Sequence, residues 1–179
     1  MKRLIALGAF IVAASVCAEV SAAPIGAYGL IEGGGEISYP VRNGSGEYGA
    51  QGALEAGISL LRVLQIGGRL ELGVIHENID HGSPGVWGTI SLEVRVVFRL
   101  LRHLGLGFGA SIGGGYWNNC YGDVCGTLGP AAAVDARIYV PLVPHFGLEV
   151  GLQAEYQGIL INGQKGSVAP RLFAGLAFD

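Results

Sequence analysis

One short stretch of the chain contains residue types that could carry acid–base or nucleophilic chemistry: His76, Glu77, Asp80, His81 and Ser83. A serine hydrolase needs a histidine within hydrogen-bond reach of the serine and a carboxylate that orients the histidine. Ser83, His81 and Glu77 are therefore a candidate catalytic set for acyl hydrolysis. The spacing does not fix their geometry, so the sequence favours the competing interpretation, a polar solvated loop.

Other patterns with a known chemistry are weaker. His76, Asp80 and His81 match no compact zinc pattern, and we expect no metal. The glycine runs at 33–35 and 113–115 are not followed by the residues of a phosphate-binding loop, so we expect no cofactor. The net charge of −3 and the lack of interleaved basic and aromatic residues argue against nucleic-acid binding.

The N-terminal residues predict a secretory signal peptide. Lys2 and Arg3 precede an uncharged apolar stretch, and small residues follow it. We expect residues 1–22 to be removed, with cleavage after 22 or 23, and 23–179 to form the mature domain. Cys17 would leave with the signal, so Cys120 and Cys125 would remain as a pair that an oxidising compartment would join in a disulfide.

Apolar and polar residues alternate along eight segments of the chain, as in β-strands with two unlike faces. The segments lie at about 27–39, 48–60, 64–75, 86–100, 104–116, 128–140, 146–156 and 168–178. The apolar face of every segment lacks Asp, Glu, Lys and Arg. The opposite face holds Glu32, Glu36, Glu55, Arg69, Glu71, Glu93, Arg95, Arg99, Asp135, Arg137, Glu149, Glu155 and Arg171.

Short and long connections alternate between the segments. Short links lie near Leu61–Val63, Leu101–His103 and Pro141–His145. Longer polar connections lie at about 40–47, 76–85, 117–127 and 157–167. This layout is typical of bacterial outer-membrane barrels, in which short turns and both termini are periplasmic. The sequence predicts an all-β fold, an eight-stranded antiparallel up-and-down transmembrane β-barrel.

Aromatic residues on the apolar face lie near the strand ends, where rings can sit at headgroup level. The predicted girdle consists of Tyr39, Tyr48, Tyr116 and Tyr156 beside the long loops and Phe98, Phe146 and Phe178 near the short turns. Aromatic residues also favour strands in general, which is the alternative explanation.

The mature chain resembles the small eight-stranded outer-membrane barrels, such as OmpX and the transmembrane domain of OmpA. Residues 168–178, with Leu172, Ala174, Leu176 and Phe178 outward, resemble the terminal strand by which these proteins are recognised for assembly; here Asp179 follows the terminal aromatic residue. The resemblance implies a bacterial outer-membrane location, contact with outer-membrane lipid and lipopolysaccharide, and recognition by the barrel-assembly machinery. Some eight-stranded barrels are lipid A deacylases, the class to which the Ser83 candidate set would belong.

Eight strands enclose an interior just wide enough for side chains. The inward charges should therefore pair or reach trapped water. The predicted network has Arg69, Arg95, Arg99, Arg137 and Arg171 bridging Glu55, Glu71, Glu93, Asp135, Glu149 and Glu155. Arg69 with Glu55 and Arg137 with Glu149 are the expected neighbouring pairs. Inward glycines at 105–115 should leave room for long side chains or, alternatively, for a narrow water path.

Three functions are open from the sequence. The first is a structural or surface-interaction protein with a plugged lumen, whose loops could meet an unknown surface ligand. The second is an outer-membrane lipid-modifying enzyme or a narrow pore. The third, a soluble lipocalin-type carrier, is untenable because its apolar face would lie in water. The first remains by elimination, and we expect no enzymatic activity.

Overall fold

A computed structural model describes residues 25–40, 47–61, 63–76, 85–101, 104–118, 127–158 and 166–178. These residues form eight strands. The strands are β1 (Ile25–Pro40), β2 (Glu47–Leu60), β3 (Leu64–His76), β4 (Gly85–Leu101), β5 (Leu104–Asn118), β6 (Thr127–Val143), β7 (Phe146–Gln157) and β8 (Ser167–Phe178).

The strands close into a single antiparallel barrel in chain order. Each strand pairs with its sequence neighbours, and β1 pairs with β8 to complete the ring, for example through Gly33 and Ala174. The predicted all-β, eight-stranded up-and-down barrel is thereby confirmed. Within the described ranges, no helix is long and apolar enough to cross a membrane.

The two faces of each strand differ as the alternation predicts. In β4, Leu92 is 68 % exposed on the outside whereas its neighbour Glu93 is 1 % exposed on the inside. Among the described strand residues with outward side chains, none is charged. Because side chains of a strand point alternately to opposite faces, each strand contributes both to the outer wall and to the interior.

One predicted connection is shorter than expected. β6 continues through Pro141 and Leu142 to Val143, and only Pro144 and His145 form the turn. The pairing with β7 shifts between Pro141 and Val143, which is where a residue without a backbone N–H interrupts the ladder. His145 has a positive φ of 66°, which lets the chain reverse in so few residues.

Large aromatic side chains inside the barrel lie directly over glycines of the next strand. Trp87 pairs with Gly73, and a Cβ atom at Gly73 would lie 2.3 Å from the indole ring. Phe173 pairs with Gly151 in the same way, with its ring 2.3 Å from where a Cβ would be. The missing side chains therefore allow bulky rings to pack inside a narrow barrel.

Candidate functional site in the barrel interior

The barrel interior is lined by ionisable side chains that are shielded from solvent. Burial of an unpaired charge costs several kcal/mol, so these groups must hold one another in place. The buried arginines are Arg69, Arg95, Arg137 and Arg171, and the buried acids are Glu32, Glu36, Glu55, Glu71, Glu93, Asp135, Glu149 and Glu155. Among the described residues, buried carboxyl groups thus outnumber buried guanidinium groups by two to one.

Arg137 of β6 contacts acids from four other strands, including Glu55 of β2 at 3.7 Å. Its guanidinium donates to Glu32 of β1 and to Asp135 on its own strand. Its Nη2 lies 3.2 Å from Glu93 Oε1 of β4, and its Nη1 lies 3.4 Å from Glu149 Oε1 of β7. One cation therefore joins strands on opposite sides of the barrel.

The same guanidinium has an apolar neighbour as well. Its central carbon lies 4.8 Å from the ring centroid of Phe173. A ring face attracts a cation, and this contact also fixes the plane in which Arg137 presents its donors.

Arg69 and Arg95 share the carboxylate of Glu55. The distance to Glu55 Oε2 is 3.2 Å from Arg69 Nη1 and 2.7 Å from Arg95 Nη2. Arg69 also donates from Nε to Glu71 at 2.7 Å, and Arg95 donates to Glu93. The shared carboxylate links two guanidinium groups that would otherwise repel each other.

A second group of contacts lies toward the long-loop end of the barrel. Arg171 of β8 donates from Nε to Glu36 Oε2 at 2.8 Å and from Nη1 to Glu71 Oε2 at 3.0 Å. It also donates to Glu155. Trp87 donates from its indole nitrogen to Glu36 Oε1 at 2.7 Å, and the Arg171 guanidinium lies 4.3 Å from the indole centroid. Arg171 and Trp87 are thus held in place both by their contacts with Glu36 and by stacking on each other.

The inward glycines of β5 give these side chains their space. A Cβ at Gly107 would lie 3.1 Å from the Cδ of Arg95. A Cβ at Gly109 would lie 2.2 Å from Asp135 Oδ2 and 3.0 Å from Glu93 Oε1. Long polar side chains from β4 and β6 therefore occupy the volume that β5 leaves empty.

A small cavity of about 90 Å³ lies at the short-turn end of the interior. Its walls include Arg95, Arg99, Gln65, Tyr139 and Glu149. Apolar residues such as Leu30 and Val97 also line the cavity, and its polar groups lie on one part of the wall, where a few waters could bind. Arg99, which the sequence placed in the network, lies here with an exposed side chain.

The structure brings most of the sequence-predicted network together. Arg69 with Glu55 and Arg137 with Glu149 are both ion pairs. Two acids that the predicted network omitted, Glu32 and Glu36, are also in contact with arginines, 2.5 Å from Arg69 and 2.8 Å from Arg171 respectively. Both lie on the inward face that the alternation of apolar and polar residues identifies. Their position in the strand was therefore sufficient to place them in the predicted network.

A local sequence pattern also accompanies the network. Opposite charges stand two residues apart in Arg69-Leu-Glu71, Glu93-Val-Arg95 and Asp135-Ala-Arg137, and each pair is in contact. Residues two apart share a face of a strand. This spacing could have predicted three pairs without knowledge of the barrel.

The predicted girdle residues lie near the strand ends. Tyr39, Tyr48, Tyr116 and Tyr156 are exposed on the outer wall beside the long connections. Phe146 and Phe178 pack edge to face at 5.3 Å between ring centroids near the short turns. Phe98 packs in the same manner against Phe108, at 6.2 Å.

Several predicted sites lie outside the described residues. These are the signal peptide 1–22, the catalytic candidates Glu77, His81 and Ser83, the acid Asp80, and the pair Cys120 and Cys125. His76 ends β3. Within the described ranges, no cluster of three or more His, Cys, Asp or Glu side chains has the arrangement of a metal site.

No protein-family model matches the chain, and no curated protein matches it significantly. Solved structures do match. Neisserial surface protein A matches at a TM-score of 0.69 with 11 % identity, over 86 % of this chain and 97 % of that one. The N-terminal β-barrel domain of Pseudomonas aeruginosa OprF matches at a TM-score of 0.52 with 18 % identity, over 84 % and 97 %.

Ail, the attachment invasion locus protein of Yersinia pestis, was solved with the heparin analogue sucrose octasulfate. It matches at a TM-score of 0.50 with 17 % identity, over 85 % of this chain and 99 % of that one. All three structures are small eight-stranded outer-membrane β-barrels. The chain therefore has the fold of that class.

Proposed function

We propose that this protein is an integral bacterial outer-membrane barrel whose role is structural or lies in surface interaction, and whose lumen is plugged. The observation that carries the proposal is the division of residue types between the two faces of a closed barrel. Exposed Leu, Ile, Val and aromatic side chains form the outer wall, and the charged strand residues turn inward. Such an outer wall is suited to acyl chains and unsuited to water.

The packing of the interior side chains supports a plugged lumen. Arg137 reaches from β6 to Glu32 of β1 across the interior, and Arg171 reaches from β8 to Glu71 of β3. Bridges of this kind cross the path that an ion would need. The proposal therefore excludes a conducting pore as the main function.

Location and partners are part of the same proposal. Export by the N-terminal signal, assembly by the barrel-assembly machinery, and periplasmic termini fit a barrel with short turns at the end where β1 begins and β8 ends. Lipid and lipopolysaccharide would contact the outer wall, and the long connections would be available to a surface ligand.

Membrane fractionation combined with gel mobility before and after boiling tests the barrel and its location. We expect the protein in the outer-membrane fraction, with a mobility that changes on boiling because a closed barrel resists unfolding in detergent. Recovery of the protein in the aqueous periplasmic fraction would contradict the proposal.

Single cysteines at neighbouring positions test the two faces, in a background where Cys120 and Cys125 are replaced by serine. A spin label at Leu92→Cys should be relaxed by oxygen and protected from a water-soluble nickel complex. Ser91→Cys, which faces inward and is 7 % exposed in the native residue, should resist a bulky water-soluble maleimide until the protein is boiled. Rapid reaction of Ser91→Cys in the folded barrel would show an open lumen.

A further inference from the structure

We infer that the barrel interior takes up protons when the barrel forms, so that some of its carboxyl groups are neutral in the folded protein at neutral pH. The inference rests on the plugged lumen of the proposed function and adds to it the ligand that balances the interior charge. Its support comes from the excess of buried acids, from acids that share one guanidinium nitrogen, and from a buried carboxylate oxygen that accepts no hydrogen bond from the described residues.

The charged groups of the lumen come from seven of the eight strands. They are Glu32 and Glu36 of β1, Glu55 of β2, Arg69 and Glu71 of β3, Glu93 and Arg95 of β4, Asp135 and Arg137 of β6, Glu149 and Glu155 of β7, and Arg171 of β8. β5 contributes no charged residue. The exposed Arg99 at the short-turn end reduces the excess of acids only from four to three. Tyr28 and Tyr139 also line the interior, and a phenol is neutral at neutral pH.

Only the acids of this set can adjust their charge. A guanidinium group stays protonated in proteins, whereas a buried carboxyl group without a compensating cation becomes neutral by binding a proton. The side chains of Glu55, Glu71 and Glu93 are at most 2 % exposed, so bulk water does not stabilise their charges. Protons are therefore the ligand that this chemistry favours.

Acids crowd around Arg95 in the middle of the lumen. Its Nη2 lies 2.7 Å from Glu55 Oε2 and also contacts Glu93 Oε1. A Cβ at Gly109 would lie 3.0 Å from Glu93 Oε1 and 2.2 Å from Asp135 Oδ2, so a third carboxyl group is within about 5 Å of the second. Carboxyl groups that share one site repel each other when all are charged, and a bound proton removes part of this repulsion.

The long-loop end of the lumen repeats this shortage of cations. Arg171 Nη1 lies 3.0 Å from Glu71 Oε2 and also contacts Glu155 Oε2, and Arg171 Nε donates to Glu36. Glu71 has a second arginine, Arg69. Among the described residues, Glu36 and Glu155 have an ion pair with Arg171 alone. One cation therefore serves two acids that share no other.

One oxygen of Glu55 is left without a donor. The contacts of this carboxylate with Arg69, Arg95 and Arg137, at 3.2, 2.7 and 3.7 Å, are all to Oε2. Oε1 is buried and accepts no hydrogen bond from the described residues. An ionised carboxylate can only accept, whereas a protonated carboxyl group also donates. A proton on a neighbouring acid such as Glu93 therefore adds a donor where the lumen has an unused acceptor.

Refolding of the urea-unfolded protein into phosphatidylcholine vesicles counts these protons. The solution is weakly buffered at about pH 7.5 and contains EDTA and a pH indicator; carboxyl groups of an unfolded chain are ionised there and histidine is mostly neutral. Gel mobility before boiling gives the folded fraction. We expect an uptake of at least one and at most four protons per folded barrel, because buried acids exceed buried arginines by four. An uptake below one proton, or a release, overturns the inference.

Two variants should change the uptake in opposite directions. Glu93→Gln removes an acid and should lower it, and Arg137→Met removes a cation and should raise it. Arg99→Met, at an exposed position, is the matched control and should leave it unchanged. The inference stands only if the two interior variants differ from this control in these directions. If Arg137→Met does not reach the heat-modifiable form, the comparison of Glu93→Gln with Arg99→Met decides.

The pH dependence of the urea midpoint gives a second readout. A folded state that holds more protons than the unfolded chain loses stability as the pH rises. The wild-type midpoint should therefore fall between about pH 5.5 and about pH 7.5, and it should fall less in Glu93→Gln. Acids that stay ionised in the folded state lose stability only at lower pH, where the unfolded chain binds protons, so they do not produce this trend. A constant or rising midpoint contradicts the inference.

Failure of the inference and failure of the proposed function are distinguishable. Rapid maleimide labelling of Ser91→Cys in the folded barrel would refute the plugged lumen itself. Slow labelling together with no proton uptake would refute the inference alone.

Discussion

Replacement of Arg137 by methionine should destabilise the barrel more than replacement of any exposed arginine. The guanidinium donates to Glu32 and Asp135 and lies 3.2 to 3.7 Å from Glu93, Glu149 and Glu55. Methionine keeps much of the volume and the contact with the Phe173 ring but leaves these carboxylates without their shared cation. The difference in unfolding free energy between this variant and the wild type therefore reports mainly on the lost positive charge.

The magnitude follows from two opposing contributions. A single pair of charges 4 Å apart attracts by about 4 kcal/mol at an effective dielectric constant of about 20. The cost of desolvating the guanidinium offsets several kcal/mol of the summed attraction. Removal of one partner from a buried ion pair costs about 3–5 kcal/mol in practice, and we expect Arg137→Met to lose this much free energy of unfolding.

Urea titration of the barrel refolded in lipid vesicles, followed by tryptophan fluorescence and by gel mobility, measures the effect. Arg99→Met is the matched control, because its side chain is exposed at the short-turn end, and exposed ion pairs contribute about 0–1 kcal/mol. An Arg137→Met barrel with the same urea midpoint as Arg99→Met would refute the reasoning, since it would mean that water already solvates the interior acids.

Three further results are expected. Glu93→Gln should cost less than about 1 kcal/mol in the same titration, because buried acids exceed buried arginines and the amide keeps the shape of the side chain; a loss equal to that of Arg137→Met would contradict this. Gly73→Ala should cost about 1–3 kcal/mol of unfolding free energy and alter the near-ultraviolet circular dichroism of Trp87, because the new Cβ would lie 2.3 Å from the indole. Gly68→Ala, where a Cβ would meet nothing within 4 Å, should be close to neutral. Identical urea midpoints for the two variants would contradict the packing of Trp87 over Gly73. Planar bilayers should show no conductance above that of a plugged control barrel, and stable single-channel steps would argue for the pore.

Most of the fold could be predicted from the period-two pattern alone. A shift of one residue in the register of a strand would exchange its two faces. Because one face of each segment lacks charged residues, the sequence identifies which face of each strand points outward. The end of β6 was predicted less well. Pro141 suggested a turn, yet a proline at the last rungs of a strand is tolerated, and the turn lies at Pro144 and His145.

Most members of the interior network could be predicted, but their pairing could be predicted only in part. Contacts between adjacent strands, such as Arg69 with Glu55, follow from the order of the strands. Contacts across the lumen, such as Arg171 with Glu71, depend on the diameter of the barrel and on side-chain length. Neither quantity can be read from the spacing of charges.

The ion pairs that cross the lumen also constrain how the barrel assembles. Arg171 belongs to the last strand, and its acidic partners Glu36, Glu71 and Glu155 belong to the first, third and seventh. In the proposed membrane setting, a sheet that lacked β8 would leave Glu36 and Glu155 without Arg171, which is costly, whereas Glu71 would keep Arg69. Arg171 therefore reaches all three acids only when β8 has closed the ring. A chain truncated before Arg171 should therefore be less stable as a barrel than a chain that keeps this residue.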